Sequence, residues 1–171
     1  MLNIIIGNVC AVGAMLSDSV SGTRKTQKDI LLVQCISQVF YICSSLILKG
    51  YSATVQNVVA IARNLFAAYD KKNKVLEYVL IILPVVLGIV FNNRGLIGFL
   101  PVAANLEYSI AVFAFREKPT MLKYAIIVNN VMFCVFNFAI LNFVSGVASI
   151  VIIITTSISI IKEKKSGDAE K

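Results

Sequence analysis

Histidine and tryptophan are absent from the 171 residues. Without an imidazole the chain has no histidine-based metal site and no catalytic triad. The four cysteines, Cys10, Cys35, Cys43 and Cys134, show no CxxC spacing and sit singly in apolar stretches, where they read as small packing residues. No glycine-rich nucleotide loop occurs; Gly95 and Gly98 lie near the end of an apolar run, a place that suits close helix contact. No nucleophile stands beside a base, so no enzyme and no cofactor are expected. No basic stretch precedes the first apolar run, which opens MLNIII, so a retained helix is expected in place of a cleaved signal peptide.

What the chain does have is apolar material, with 58% hydrophobic residues, 15% charged and a mean hydropathy of +0.83. That is more than a soluble domain of this size can hide, and it points to an all-α polytopic membrane protein. The formal net charge of +7 would suggest nucleic acid in a soluble protein. Here the Lys and Arg lie in short clusters between apolar runs and read as topology signals, so the expected partner is a lipid bilayer and not nucleic acid.

Seven runs can be traced: Ile4 to Val20, Ile30 to Leu48, Tyr51 to Tyr69, Val75 to Phe91, Leu96 to Phe115, Leu122 to Leu141 and Phe143 to Ile161. Basic residues fall on alternate connections, thirteen on one set and only Lys49 and Arg94 on the other. The positive-inside rule then places the N-terminus outside and the C-terminus in the cytoplasm. Pro84 and Pro101 fall within the fourth and fifth runs, where a kink is expected. The polar tail, 163–171, is expected to be solvated and disordered.

Sliding the chain by 92 residues lays runs one to three on runs five to seven. Ser37 and Gln38 fall on Asn129 and Asn130, and Arg24 falls on Arg116. The expected organisation is therefore 3+1+3: a first three-helix repeat over 1–74, a linker helix over 75–94 and a second repeat over 95–162. An odd number of helices plus one linker makes the repeats parallel, with a cavity between them.

The third run, YSATVQNVVAIARNLFAAY, is organised around a difficulty, because it carries Gln56, Asn57, Arg63 and Asn64 at membrane depth. A guanidinium inside hydrocarbon costs at least about 2.5–3.5 kcal/mol, so Arg63 needs a partner or a watery cavity. Glu107 lies as many residues from Gly95 as Arg63 does from Tyr51, which puts both roughly 18 Å below one edge and makes them a candidate pair. Gln38, Tyr41, Asn105, Asn129, Asn130 and Asn137, with Asn57 and Asn64, could line a polar path around that pair. Equally, such amides could be interhelical glue, bonding across packed helices without touching a ligand.

Four segments carry a family resemblance: GNVCAVGAMLSDS, LILKGYSATVQNVVAIARNLFAAYDKK, LPVAANLEYSIAVFAFR and VMFCVFNFAILNFVSGVAS. Together they resemble the YgjV family of bacterial inner-membrane proteins, whose 3+1+3 layout is similar to that of SWEET and other PQ-loop transporters. The resemblance implies a multi-pass protein of the bacterial inner membrane and a transport role. It also implies that Arg63 and Asn64 match an arginine and a small polar residue before a basic loop, that Pro101 matches a fifth-helix proline, and that Asn137 matches an asparagine after an aromatic patch. The chain departs from the pattern in lacking tryptophan, with Phe133 and Phe136 in the patch, and in having Ser149 where relatives carry an acid. Two functional readings stay open: a transporter or facilitator for a small polar or anionic solute, and a membrane scaffold or accessory subunit, either one with a homodimer as a further partner. An enzyme or signalling module is the remaining class.

Overall fold

A computed structural model describes residues 2–47, 51–69, 73–92, 94–139 and 142–169. Lys49, Lys71, Lys72 and Lys171 of the basic count, and the run ends Leu48 and Leu141, lie outside the described residues. The described chain is all α: α1 (Leu2–Gly22), α2 (Gln27–Ile47), α3 (Tyr51–Ala68), α4 (Lys74–Val90), α5 (Phe99–Ala114), α6 (Pro119–Ala139) and α7 (Phe143–Ala169), with a 3-10 turn over Gly95–Gly98 before α5.

Local chemistry explains the boundaries. The Asn73 side chain accepts from the Leu76 N–H and starts α4. Between α4 and α5 the Asn92 side chain donates to the Gly95 carbonyl at 2.9 Å and accepts from the Arg94 N–H at 2.9 Å, while Gly95 takes φ +61°. Because this turn uses up Gly95–Gly98, α5 begins at Phe99 and not at Leu96. Pro101 then lies in the first turn of α5, where a missing N–H interrupts little, so the kink expected there has no opened bond behind it. Pro84, by contrast, is inside α4. At the other end, α7 continues to Ala169 through part of the tail expected to be disordered, since IKEKK contains good helix formers and no proline.

The packing order is a ring. Each helix of the sets α1–α2–α3 and α5–α6–α7 packs on its neighbour in sequence, and α3 against α5 and α1 against α7 close the circle. Helix α4 packs on α3 and α5 from outside. Its approach depends on Gly88, where an added Cβ would collide with Gln56 Nε2 and meet Val102 Cγ2 at 2.6 Å.

Burial is inverted relative to a water-soluble bundle. Val147, Ile150, Ile154, Ile158 and Ile161 form an exposed apolar stripe along α7, and Val128, Val131 and Val135 do so on α6, while Gln56, Arg63, Asn64, Ser109 and Lys123 are buried. A bilayer is the solvent that suits such a surface. Five helices are long and apolar enough to cross it: α1, α2, α5 with its 3-10 turn, α6 and α7. The other two, expected as spans, fall short by composition or length: α3 carries the polar quartet, and α4 has 17 residues, about 26 Å.

Candidate functional site: a polar cavity inside the ring

Inside the ring lies a cavity of about 590 Å³, lined from α1, α2, α3, α5, α6 and α7 but not from α4. Helical periodicity explains how the polar residues reach it. On α2, Gln34, Gln38, Tyr41 and Ser45 recur at i, i+4, i+7 and i+11, and on α6 Ile126, Asn130, Phe133 and Asn137 repeat that spacing. One stripe per helix faces inward and the apolar remainder faces lipid.

Of the ten residues singled out from the sequence, eight line this cavity: Arg63, Asn57, Gln38, Asn105, Asn129, Asn130, Asn137 and Tyr41. Asn64 is fully buried just behind, accepting from Arg63 Nε at 3.1 Å. Glu107 is elsewhere. It borders a shallow groove with Ala103, Leu106, Ile110 and Phe115, and one of its carboxylate oxygens is buried without a hydrogen-bond partner. Arg63 and Glu107 form no ion pair; among the described residues the paired acids are Glu77, with Arg116, and Glu163, with Lys123. The depth match behind the expected pairing ignored azimuth: at about 100° per residue Glu107 points some 200° away from Asn105, which does face the cavity.

Among the described residues the groups in direct contact with Arg63 are neutral, and Glu107 acts on it only through space. Its Nη1 donates to Ser109 Oγ at 2.8 Å, and its guanidinium lies 4.8 Å from the centre of the Tyr108 ring. Tyr108 donates to Gln34 Oε1 at 2.7 Å, and Asn64 Nδ2 donates to the same oxygen at 3.3 Å. Beyond Ser109, whose hydroxyl donates to the Asn105 carbonyl at 2.6 Å, the Asn105 amide donates to Gln56, and Gln56 Nε2 reaches the Pro84 carbonyl at 3.3 Å. This chain of bonds ties α2, α3, α4 and α5 together. A guanidinium has five N–H donors, so three of those on Arg63 have no hydrogen-bond partner among the described residues, although the residue is only 2% exposed.

The amides divide into two sets. Gln34, Gln56, Asn64 and Asn105 bond across helices, as glue would. Gln38, Asn57 and Asn137 make no side-chain hydrogen bond among the described residues, and Gln38 Oε1 is buried without a partner. Asn129 and Asn130 each donate once to a backbone carbonyl at 2.9 Å, which leaves their oxygens available.

Several residues at this site or near it were not singled out from the sequence, among them Gln34, Asp18, Tyr108 and Lys123. Asp18 lines the cavity, accepts from Ser37 and has the Tyr41 hydroxyl beside it. The signal for it was a stripe of small or polar residues on α1, Gly7, Ala11, Ala14, Asp18 and Ser21, all on one inward face. Tyr108 reads from sequence as an ordinary aromatic of an apolar run. Lys123, fully buried, donates to Ser159 Oγ at 2.9 Å and pairs with Glu163. Among the described residues no group of three His, Cys, Asp or Glu is placed to hold a metal.

Beyond Arg63 and Tyr108 the cavity ends on an apolar cluster that includes Leu31, Ala68, Val112, Leu122, Ile126 and Ile152. These residues lie where α2 and α6 begin and α3 and α5 end, the end flanked by Arg24, Lys25, Arg116 and Lys118. At the opposite end the cavity reaches Asn92, Asn142 and the exposed Arg94.

An α-helical bundle with a lipid-compatible exterior and a polar interior defines a multi-pass membrane protein with an internal cavity. A family model described as Imp-YgjV, bacterial inner membrane protein, matches residues 5–166. The chain belongs to that family of the bacterial inner membrane. No curated protein and no solved structure matches it.

Proposed function

We propose that this protein is a transporter or facilitator for a small polar or charged solute, without enzymatic activity, and that the cavity is its solute site. The observation that carries the reading is that Gln38, Asn57 and Asn137 face the cavity with their hydrogen-bonding capacity unspent. Polar groups kept at membrane depth without protein partners are costly unless something else satisfies them.

The proposal includes seven spans in two parallel three-helix repeats joined by α4. Two observations support it. Exchanging α1–α3 with α5–α7 maps the α3–α5 contact onto the α7–α1 contact. At an offset of 92 residues, seven pairs line the cavity from both sides, among them Gln38 with Asn130, Tyr41 with Phe133, Ser45 with Asn137, and Asn57 with Ser149. The orientation proposed is N-terminus outside and C-terminus in the cytoplasm, on the basic-residue split. In a background lacking the native cysteines, Leu96→Cys is expected to react with an impermeant maleimide added to intact cells and Lys25→Cys is not. The reverse labelling would invert the topology.

Function is tested by proteoliposome uptake across a library of sugars, amino acids, nucleosides and organic anions. Wild-type vesicles are expected to take up at least one class faster than protein-free vesicles. Asn57→Trp, which fills the middle of the cavity, is expected to abolish that uptake while the protein still melts cooperatively. The bonded set Gln34, Gln56, Asn64 and Asn105 supports the alternative of a scaffold or accessory subunit. Leak at the protein-free rate for every solute would make that the better reading.

A further inference from the structure

Two opposite charges face the same cavity without meeting. Asp18 on α1 and Arg63 on α3 both line it, and they form no ion pair with each other or with any other charged group among the described residues. The groups bonded to each are neutral: Asp18 has the hydroxyls of Ser37 and Tyr41, and Arg63 has Asn64, Ser109 and the Tyr108 ring, with Glu107 acting on Arg63 only through space, from outside the cavity lining. They lie at one depth. Asp18 is four residues from the end of α1 and Arg63 five from the end of α3, or about 6 to 8 Å, and both ends are on the basic side. Helices α1 and α3 flank α2, which places Gln34, Gln38 and Tyr41 between the two charges.

A charge withdrawn from water and left without a counter-charge forfeits solvation that its neutral neighbours restore only in part. Here two such charges of opposite sign share one enclosed volume. An anion alone would engage the three uncommitted N–H donors of Arg63 and be opposed by Asp18. A cation alone would engage Asp18 and be opposed by Arg63. A solute carrying both charges completes both groups and leaves the net charge of the cavity unchanged, which matters at membrane depth because every uncompensated charge is expensive there. The amides between the poles can hold the polar middle of such a solute. The third charged residue of the lining, Arg94, is exposed at the mouth, away from this pair.

From this placement we infer that the cavity selects small zwitterions, binding an ammonium group at Asp18 and a carboxylate at Arg63. The inference rests on the transport reading and narrows its solute class.

The test measures binding to detergent-purified wild-type protein with alanine, β-alanine and 4-aminobutyrate, whose charges are progressively further apart. Each is compared with its N-acetyl form, which is an anion only, and its methyl ester, which is a cation only; glucose serves as the neutral control. At least one zwitterion is expected to bind tenfold or more tightly than both of its derivatives. Asp18→Asn is expected to erase the preference over the N-acetyl form, and Arg63→Gln the preference over the ester. Val39→Ala, on the exposed face of α2 and outside the cavity, is expected to retain both preferences. Equal binding of the derivatives, a preference that persists in Asp18→Asn, or no binding across the panel would overturn the assignment. Uptake of glucose that Asn57→Trp abolishes and no zwitterion inhibits would overturn it while leaving transport standing. Loss of all uptake would remove both.

Discussion

Arg63→Lys is expected to weaken solute binding by about ten- to a hundredfold and to leave the fold standing. The magnitude follows from the loss of one hydrogen bond to a charged group, worth about 1.5–3 kcal/mol. Arginine offers a planar fork in which Nε is held by Asn64 and Nη1 by Ser109, and that grip orients the remaining donors toward the cavity. Lysine keeps the positive charge beside the Tyr108 ring but cannot hold two fixed partners and still present a bidentate face. Calorimetric titration alongside a thermal melt checks this, with the melting temperature expected to move by only a few degrees. Glu107→Gln is the matched comparison: its side chain borders the outer groove and acts on Arg63 only through space, so its effect on binding and uptake should be much smaller than that of Arg63→Lys. Equal affinity in wild type and Arg63→Lys would make Arg63 a structural residue and favour the accessory-subunit reading.

The second large effect is on stability, at the opposite pole of the molecule from Arg94. The Lys123 side chain has no exposed surface, whereas its partner Glu163 is 29% exposed, so the two halves of this ion pair are not equivalent. Glu163→Ala leaves a buried ammonium with, among the described residues, only Ser159 as a hydrogen-bond partner and is expected to cost about 3 kcal/mol, the lower end of the range for breaking a buried pair. Lys123→Met removes the buried charge and keeps much of the volume; Glu163 can then turn to water, and the cost should be under about 1 kcal/mol. The double variant should resemble Lys123→Met, so the single costs do not add. A double-mutant cycle on reversible unfolding in detergent measures the coupling. Additive costs would show that the pair contributes nothing through its own contact.

The contrast between Lys123 and Glu107 shows what could be read from the sequence. Helix number was written in apolar runs and loop charge, which depend only on composition along the chain. The inward stripes on α2 and α6 were likewise readable, because Gln38, Tyr41, Asn130 and Asn137 are polar residues in runs where polarity needs a reason. Pairing was not readable. Depth can be counted along one helix, but which charge meets which depends on the rotation of two helices and on their order round the ring. Hence Glu107 was matched to Arg63 although it points outward, while Lys123, which looked like one more basic residue at a membrane edge, is fully buried. Asp18 was hidden for a related reason: near the end of a run, a carboxylate looks like the approach to water.

The apolar cluster at the basic end has a thermal consequence. On the transport reading proposed above, a solute entering past Arg94 would leave by the other side only if Leu31, Val112, Leu122, Ile126 and Ile152 part and become wet. Hydrating apolar surface raises the heat capacity, so the barrier to that step should itself change with temperature. Turnover would then give a curved Arrhenius plot, whereas a pore open at both ends would give a nearly straight one.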